Sequence, residues 1–231
     1  MNGLATLLAH DLRLQYRYGI HAAYGAVVAL YAAILVLAGP YIPDWFVGLL
    51  IYSDPSALGF FFLGGLMLLE KGEGVRSALA IAPVSARTYL LAKTITLTTL
   101  ALAAVIVLAL ARAHPTDWAI LISTVALTSV FYVGIGIPIA LRFKTVNAYL
   151  LGSALLLAPA LISAGFAFLN PPPLVLTLLP PVAQLRLTLV ALGYGTAGIL
   201  DLAVMFSSAF IAAATACCFA HRALKIELGI K

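Results

Sequence analysis

The ionisable residues of this chain are few, and their grouping limits the chemistry open to it. Among 231 residues there are 8 acidic and 13 basic side chains. The densest group begins Glu70-Lys71-Gly72-Glu73-Gly74 and continues through Arg76 and Leu79 to Pro83, then to Tyr89 and Lys93. Its charges alternate in sign, Val75, Leu79 and Ile81 offer a small apolar face, and Pro83 stops a short helix. Such a segment is either a solvated loop with an interfacial helix or a docking site for a partner. Asp54 and Asp201 approach membrane depth near the outer ends of their apolar runs. There they are hydrated interfacial acids, or they form an outer gate or substrate contact. His21, at the inner end of its run, reads as interfacial.

Catalytic groupings are missing. No HExxH pair, GxSxG elbow or cluster of His, Cys and Asp at ligand spacing occurs, so no catalytic residue, metal or cofactor is expected on this chain. The adjacent Cys217 and Cys218 lie deep in an apolar run and read as small packing residues. A GxxxxGK[ST] phosphate loop is also missing, so any ATP and Mg dependence must come through another subunit. The 13 basic residues are scattered singly and in pairs without interleaved aromatics, which argues against nucleic-acid binding.

What must position these residues is a membrane bundle. Hydrophobic residues make up 64% and charged residues 9% of the chain, and the mean hydropathy is +1.11; a soluble domain carries about 25% charged residues. A crossing needs roughly 20 apolar residues. The apolar runs predict one transmembrane domain, 1–231, with spans at about 22–39, 45–69, 94–111, 118–141, 148–169 and 202–220. The first run is too long for a cleavable signal and is expected to remain as a helix. Residues 4–18 mix leucines with His10, Asp11, Arg13 and Arg17, as in an amphipathic helix on the membrane surface. The stretch 174–200, broken by Pro180, Pro181, Arg186 and glycines, is too short for two crossings and reads as a re-entrant or interfacial hairpin. Small residues such as Gly64, Gly65 and Gly134 permit close helix packing, and Pro138 and Pro159 permit bends.

Orientation follows from the positive residues, which favour the cytoplasmic side. Alternate connectors divide them eleven to two, with only Arg112 and Arg186 in the smaller set. Both termini are therefore expected inside, and an even number of spans is required.

An acidic residue and glycines leaving the second span, a short helix, a proline, and Tyr89-Leu-Leu-Ala-Lys93 entering the third are similar to ABC-2 type exporter permeases. With Asp11-Leu-Arg-Leu-Gln-Tyr-Arg-Tyr-Gly19 and Ser53-Asp-Pro-Ser-Ala-Leu-Gly-Phe-Phe-Phe62, the chain most resembles the fluoroquinolone-export-type branch. The likeness covers the first hundred residues closely and then rests on span order. It implies an all-α, type V exporter-like fold with a connecting helix at 4–18. It also implies a cytoplasmic coupling helix at about 75–82 and re-entrant helices before the sixth span. The ATPase-coupling residues it implies are Glu70, Lys71, Gly72, Glu73, Gly74, Arg76, Leu79, Pro83, Tyr89 and Lys93. Implied partners are a separate ABC ATPase subunit and a second copy or paralogous permease, in the cytoplasmic membrane of a prokaryote. Function would then be export of an amphiphilic small molecule, drug or lipid-like substrate. The alternative is a channel, secondary transporter or structural membrane partner not coupled to ATP. A channel calls for polar pore-lining residues and a secondary transporter for paired broken helices, whereas a single broken segment is present.

Overall fold

Backbone groups find no water inside a bilayer, so a chain this apolar must satisfy them within helices. The computed structural model describes residues 3–74, 85–169 and 172–227, and no strand occurs among them. In chain order the helices are α1 (Gly3–Arg17), α2 (Ile20–Ala38), α3 (Asp44–Ala57), α4 (Leu63–Gly72), α5 (Ala86–Arg112), α6 (Trp118–Ala140), α7 (Val146–Ala164), α8 (Leu174–Thr177), α9 (Pro180–Ala191) and α10 (Ile199–Glu227). A π-helical turn, Leu58–Phe62, joins α3 to α4, and 3-10 turns follow α2 and α7. Six helical runs are long and apolar enough to cross a membrane: Ile20–Ala38, Asp44–Gly72, Ala86–Arg112, Trp118–Ala140, Val146–Phe168 and Ile199–Glu227.

Three of these runs overrun the boundaries that hydropathy sets. The connector expected at 70–93 is shorter, because α4 continues to Gly72 and α5 starts at Ala86. Ser85 fixes that start by accepting the backbone N–H of Thr88 at 3.1 Å, which satisfies one of the free donors of the first turn. Glu70, Tyr89 and Lys93 are therefore helical. The coupling helix expected at about 75–82 lies outside the described residues. At the other extreme α10 extends to Glu227, seven residues beyond the span expected to end at Ala220.

α6 is the central helix. Of its membrane-length window 56% is buried, against 22% for the windows of α2 and α7. Its most extensive contact is with α10, where a Cβ at Gly134 would lie 2.7 Å from that of Ala216 and 2.8 Å from its backbone carbon. Only a residue without a side chain allows that approach.

One end of the bundle holds α1 and the last turns of α10: Ile20, Leu66, Tyr89, Ala140 and Leu224 share one core cluster, with Leu7 packed against it. At the opposite end Arg112 Nη2 meets Asp44 Oδ1 at 2.7 Å and Nη1 donates to the Leu192 carbonyl at 2.7 Å. Between them Tyr52, Phe60, Tyr132, Leu157 and Leu185 form a third cluster.

The segment before the last helix is a dip and return. Leu178 accepts from Ser208 Oγ at 2.9 Å, nine residues into α10 and so about 14 Å from its start. α9 then climbs back until the Ala191 carbonyl accepts the Asp117 N–H at 2.8 Å, where α6 begins. With 12 residues it is about 18 Å long, too short for a hydrocarbon core of about 30 Å. Ten of its residues are buried, so protein covers the broken backbone as such a segment requires.

Candidate functional site

α1 turns two polar residues inward. An amphipathic surface helix should bury leucines and expose its charges; Leu14 is buried and Arg13 and Arg17 are exposed as that requires, but Asp11 and Gln15 are buried too, while Leu12 and Tyr16 are exposed. Four residues apart, Asp11 and Gln15 share one helical face. That face meets the last turn of α4 and the second turn of α5. Gly19, with φ +68°, then redirects the chain into α2.

The three helices meet at Lys93. Its ammonium donates to Asp11 Oδ1 and to Glu70 Oε1, so one cation serves two carboxylates from two other helices. The remaining oxygens are also satisfied. Gln15 Nε2 donates to Asp11 Oδ2 at 3.1 Å, Thr96 Oγ1 donates to the same oxygen, and Tyr89 Oη donates to Glu70 Oε2 at 2.6 Å. Lys93 Nζ also lies 5.5 Å from the Tyr89 ring centroid. Asp11, Glu70 and Lys93 are each 2% exposed. Counting charges, two acids and one base leave the cluster at −1, which the three neutral donors help to stabilise.

No substrate fits there. The cavity bounded by Leu7, His10, Asp11, Glu70, Tyr89 and Lys93 is about 10 Å³, the space of at most a single water. The cluster is thus a structural latch and not a reaction centre.

Outside the latch, Glu73 is paired with Arg17 and accepts from the Tyr18 hydroxyl. Arg17 is held above its ordinary pKa by the Tyr18 hydroxyl and then by Glu73. Lys71 and Gly72 are exposed, and Gly74 at φ +73° turns the chain out of α4. Of the expected coupling residues, Glu70, Tyr89 and Lys93 are brought together in the interior, beyond direct reach of a partner. Lys71, Gly72, Glu73 and Gly74 lie at the surface, and Arg76, Leu79 and Pro83 lie outside the described residues. Asp11, Gln15 and Thr96 were missed from sequence. The available signals were the spacing of Asp11 and Gln15 and a lysine without a neighbouring acid at the start of an apolar run.

The two acids expected near outer span ends separate. Asp201 stays at the start of α10, accepting the Gly198 N–H at 3.0 Å, and with Arg186 and Thr196 it lines a cavity of about 60 Å³. Burial lowers the Arg186 pKa, while Tyr194 and Asp201 act to raise it. Asp54 is not near an end. It lies ten residues into α3, about 15 Å along the helix, and accepts from the Tyr24 hydroxyl of α2. Pro55 does not end the helix as an interruption near its start would; α3 carries on through it. Two further polar contacts cross the interior, Tyr52 to Tyr132 at 2.8 Å and Thr98 to Ser129 at 2.9 Å. Among the described residues no group of three His, Cys, Asp or Glu could hold a metal.

No family model, curated protein or solved structure matches the chain.

Proposed function

We propose that the chain is the membrane-spanning permease subunit of an ATP-binding-cassette exporter, moving an amphiphilic substrate outward with ATP hydrolysed by a separate subunit. The observation that carries this reading is the bridging of Asp11 and Glu70 by Lys93. It ties the surface helix to the helices on both sides of the 73–85 connector. A push on that connector then moves α1, α4 and α5 as one body, because a packed and bonded junction transmits a displacement that a loose loop would absorb. Eleven of the 13 cations lie at this end by sequence, which supports a cytoplasmic position facing an ATPase. Low burial of α2 and α7 leaves faces for a second copy or a paralogous permease in the cytoplasmic membrane of a prokaryote.

The test is co-purification with a separate ATPase that carries a phosphate loop. Reversing both Glu73 and Arg76 should weaken it and lower transport while insertion stays intact. Because Glu73 also pairs with Arg17, Arg17→Glu is added to restore that pair. Co-purification that returns in the triple variant would assign the loss to the fold, and unchanged co-purification in the double variant would sink the coupling role.

A further inference from the structure

Asp54 is a mid-span acid to which the latch, the end pairs and the helix caps give no role. It is half-buried in mid-span, it accepts from a neutral hydroxyl, and no lysine or arginine pairs with it among the described residues. A carboxylate at membrane depth is costly and ordinarily faces a partner or a path. Tyr24, whose hydroxyl reaches it, lies four residues from the start of α2 at Ile20 and fourteen before its end at Ala38, about 6 Å and about 21 Å along the helix. Asp54 itself, ten residues into the run Asp44–Gly72, is the member of the pair that stands at mid-span.

Beside it, on the side of the opposite end, is an open groove of about 740 Å³ between α2, α3 and α7, within the usual range for drug-sized ligands. Its walls include Tyr31, Ile34, Phe46, Leu50 and Ile162, with Ser53 at the edge. No lining residue carries a charge. Asp54 follows Ser53 directly and lies one helical turn inward of Leu50, so a carboxyl adjoins the inner end of an apolar trough.

We infer that this groove binds a cationic amphiphile, its apolar body between α2, α3 and α7 and its positive head at Asp54. A neutral amphiphile leaves the carboxylate uncompensated, and an anionic one is repelled by it. A second copy of this chain does not supply the charge, because the lysines and arginines of its candidate spans sit towards span ends, from Lys71 and Arg87 to Arg112, Arg222 and Lys225, and Lys93, further in, is buried between Asp11 and Glu70. The inference deepens the exporter reading, on which it rests for the direction of movement only.

The test is equilibrium dialysis of the full chain in phosphatidylcholine nanodiscs, with empty nanodiscs subtracted, against tetraphenylphosphonium and tetraphenylborate. These ions share size and shape and differ in sign. Saturable binding of the cation alone is expected, about tenfold weaker in Asp54→Asn, retained in Asp54→Glu and lost in Leu50→Trp, which fills the trough. Equal binding of both ions, or an unchanged Asp54→Asn, overturns the inference and makes the groove a lipid or subunit contact. Should Asp54→Asn fail to fold, the two ions on the unaltered chain and Leu50→Trp decide. No ATPase takes part: cation binding without ATPase pairing would overturn the exporter reading alone, and pairing without cation binding would overturn this inference alone.

Discussion

The two ends of the bundle hold charge in different ways. At the end bearing α1 and the last turns of α10, Lys93, Asp11 and Glu70 come from three helices and are each 2% exposed. At the opposite end Arg112 meets Asp44, whose side chain is 47% exposed. Water cannot compensate the first group if a member is lost, whereas it can replace the second partner. A buried pair that loses one member costs about 3–5 kcal/mol, against about 0–1 kcal/mol for an exposed pair. The latch is therefore a junction that holds or fails as a unit, and the far-end pair is an adjustable contact.

The largest effect should follow Lys93→Met, which keeps most of the volume and removes the shared cation. Two carboxylates then face each other in a cavity of about 10 Å³, with a loss of about 3–5 kcal/mol. The measurement is the thermal midpoint in detergent, with far-ultraviolet circular dichroism to follow helix content. A midpoint equal to the parent would break the comparison at its root. Asp11→Asn sharpens it, because subtracting one negative charge leaves Lys93 and Glu70 as a neutral pair. Its expected cost is about 1–2 kcal/mol, that of weakened hydrogen bonds to Gln15 and Thr96. If Asp11→Asn cost as much as Lys93→Met, the cluster would not be organised around a shared cation.

How much of this was legible beforehand depended on whether the signal was local. Apolar length and the eleven-to-two division of cations needed no partner, and six membrane-length helices are present. The hairpin before the last span was legible from Pro180, Pro181 and the shortness of the apolar pieces. The latch was not. Spacing puts Asp11 and Gln15 on one face, but periodicity does not say whether a polar face turns outward or inward, and the deciding cation is 82 residues away. Lys93 looked like the edge of a span because hydropathy penalises a charge whether or not it is neutralised. Asp54-Pro55 looked like an interruption for a related reason. There a π-helical turn follows the proline, and the Tyr149 hydroxyl donates to the Phe60 carbonyl within that turn.

Tyr149 yields the next prediction. A Cβ at Gly64 would lie 2.0 Å from its ring, whereas at Gly65 nothing lies within 4 Å. Gly64→Ala must displace a ring whose hydroxyl holds the π turn, with an expected loss of about 1–3 kcal/mol. Gly65→Ala should gain about 0.5–1 kcal/mol from helix propensity. Paired melting curves check both, and equal shifts would show that the Gly64 contact does not constrain the bundle.

The smallest effect belongs to the far end, and its size separates the charge from the carbonyl that Arg112 also serves. Asp44→Asn removes an exposed carboxylate from the first turn of α3, losing a screened ion pair and a favourable interaction with the helix N-terminus. Each is worth at most about 1 kcal/mol. Arg112, with a side chain 6% exposed, still donates to the Leu192 carbonyl at 2.7 Å, so the junction of α5 with the end of α9 stays closed. Arg112→Ala removes that donor as well and should cost about 1–3 kcal/mol. Salt distinguishes the two contributions: the Asp44→Asn loss should vanish at 1 M salt, where charges are screened within about 3 Å, while the Arg112→Ala loss should persist. An Asp44→Asn variant as damaged as Lys93→Met, and unmoved by salt, would mean that the two ends are held in the same way.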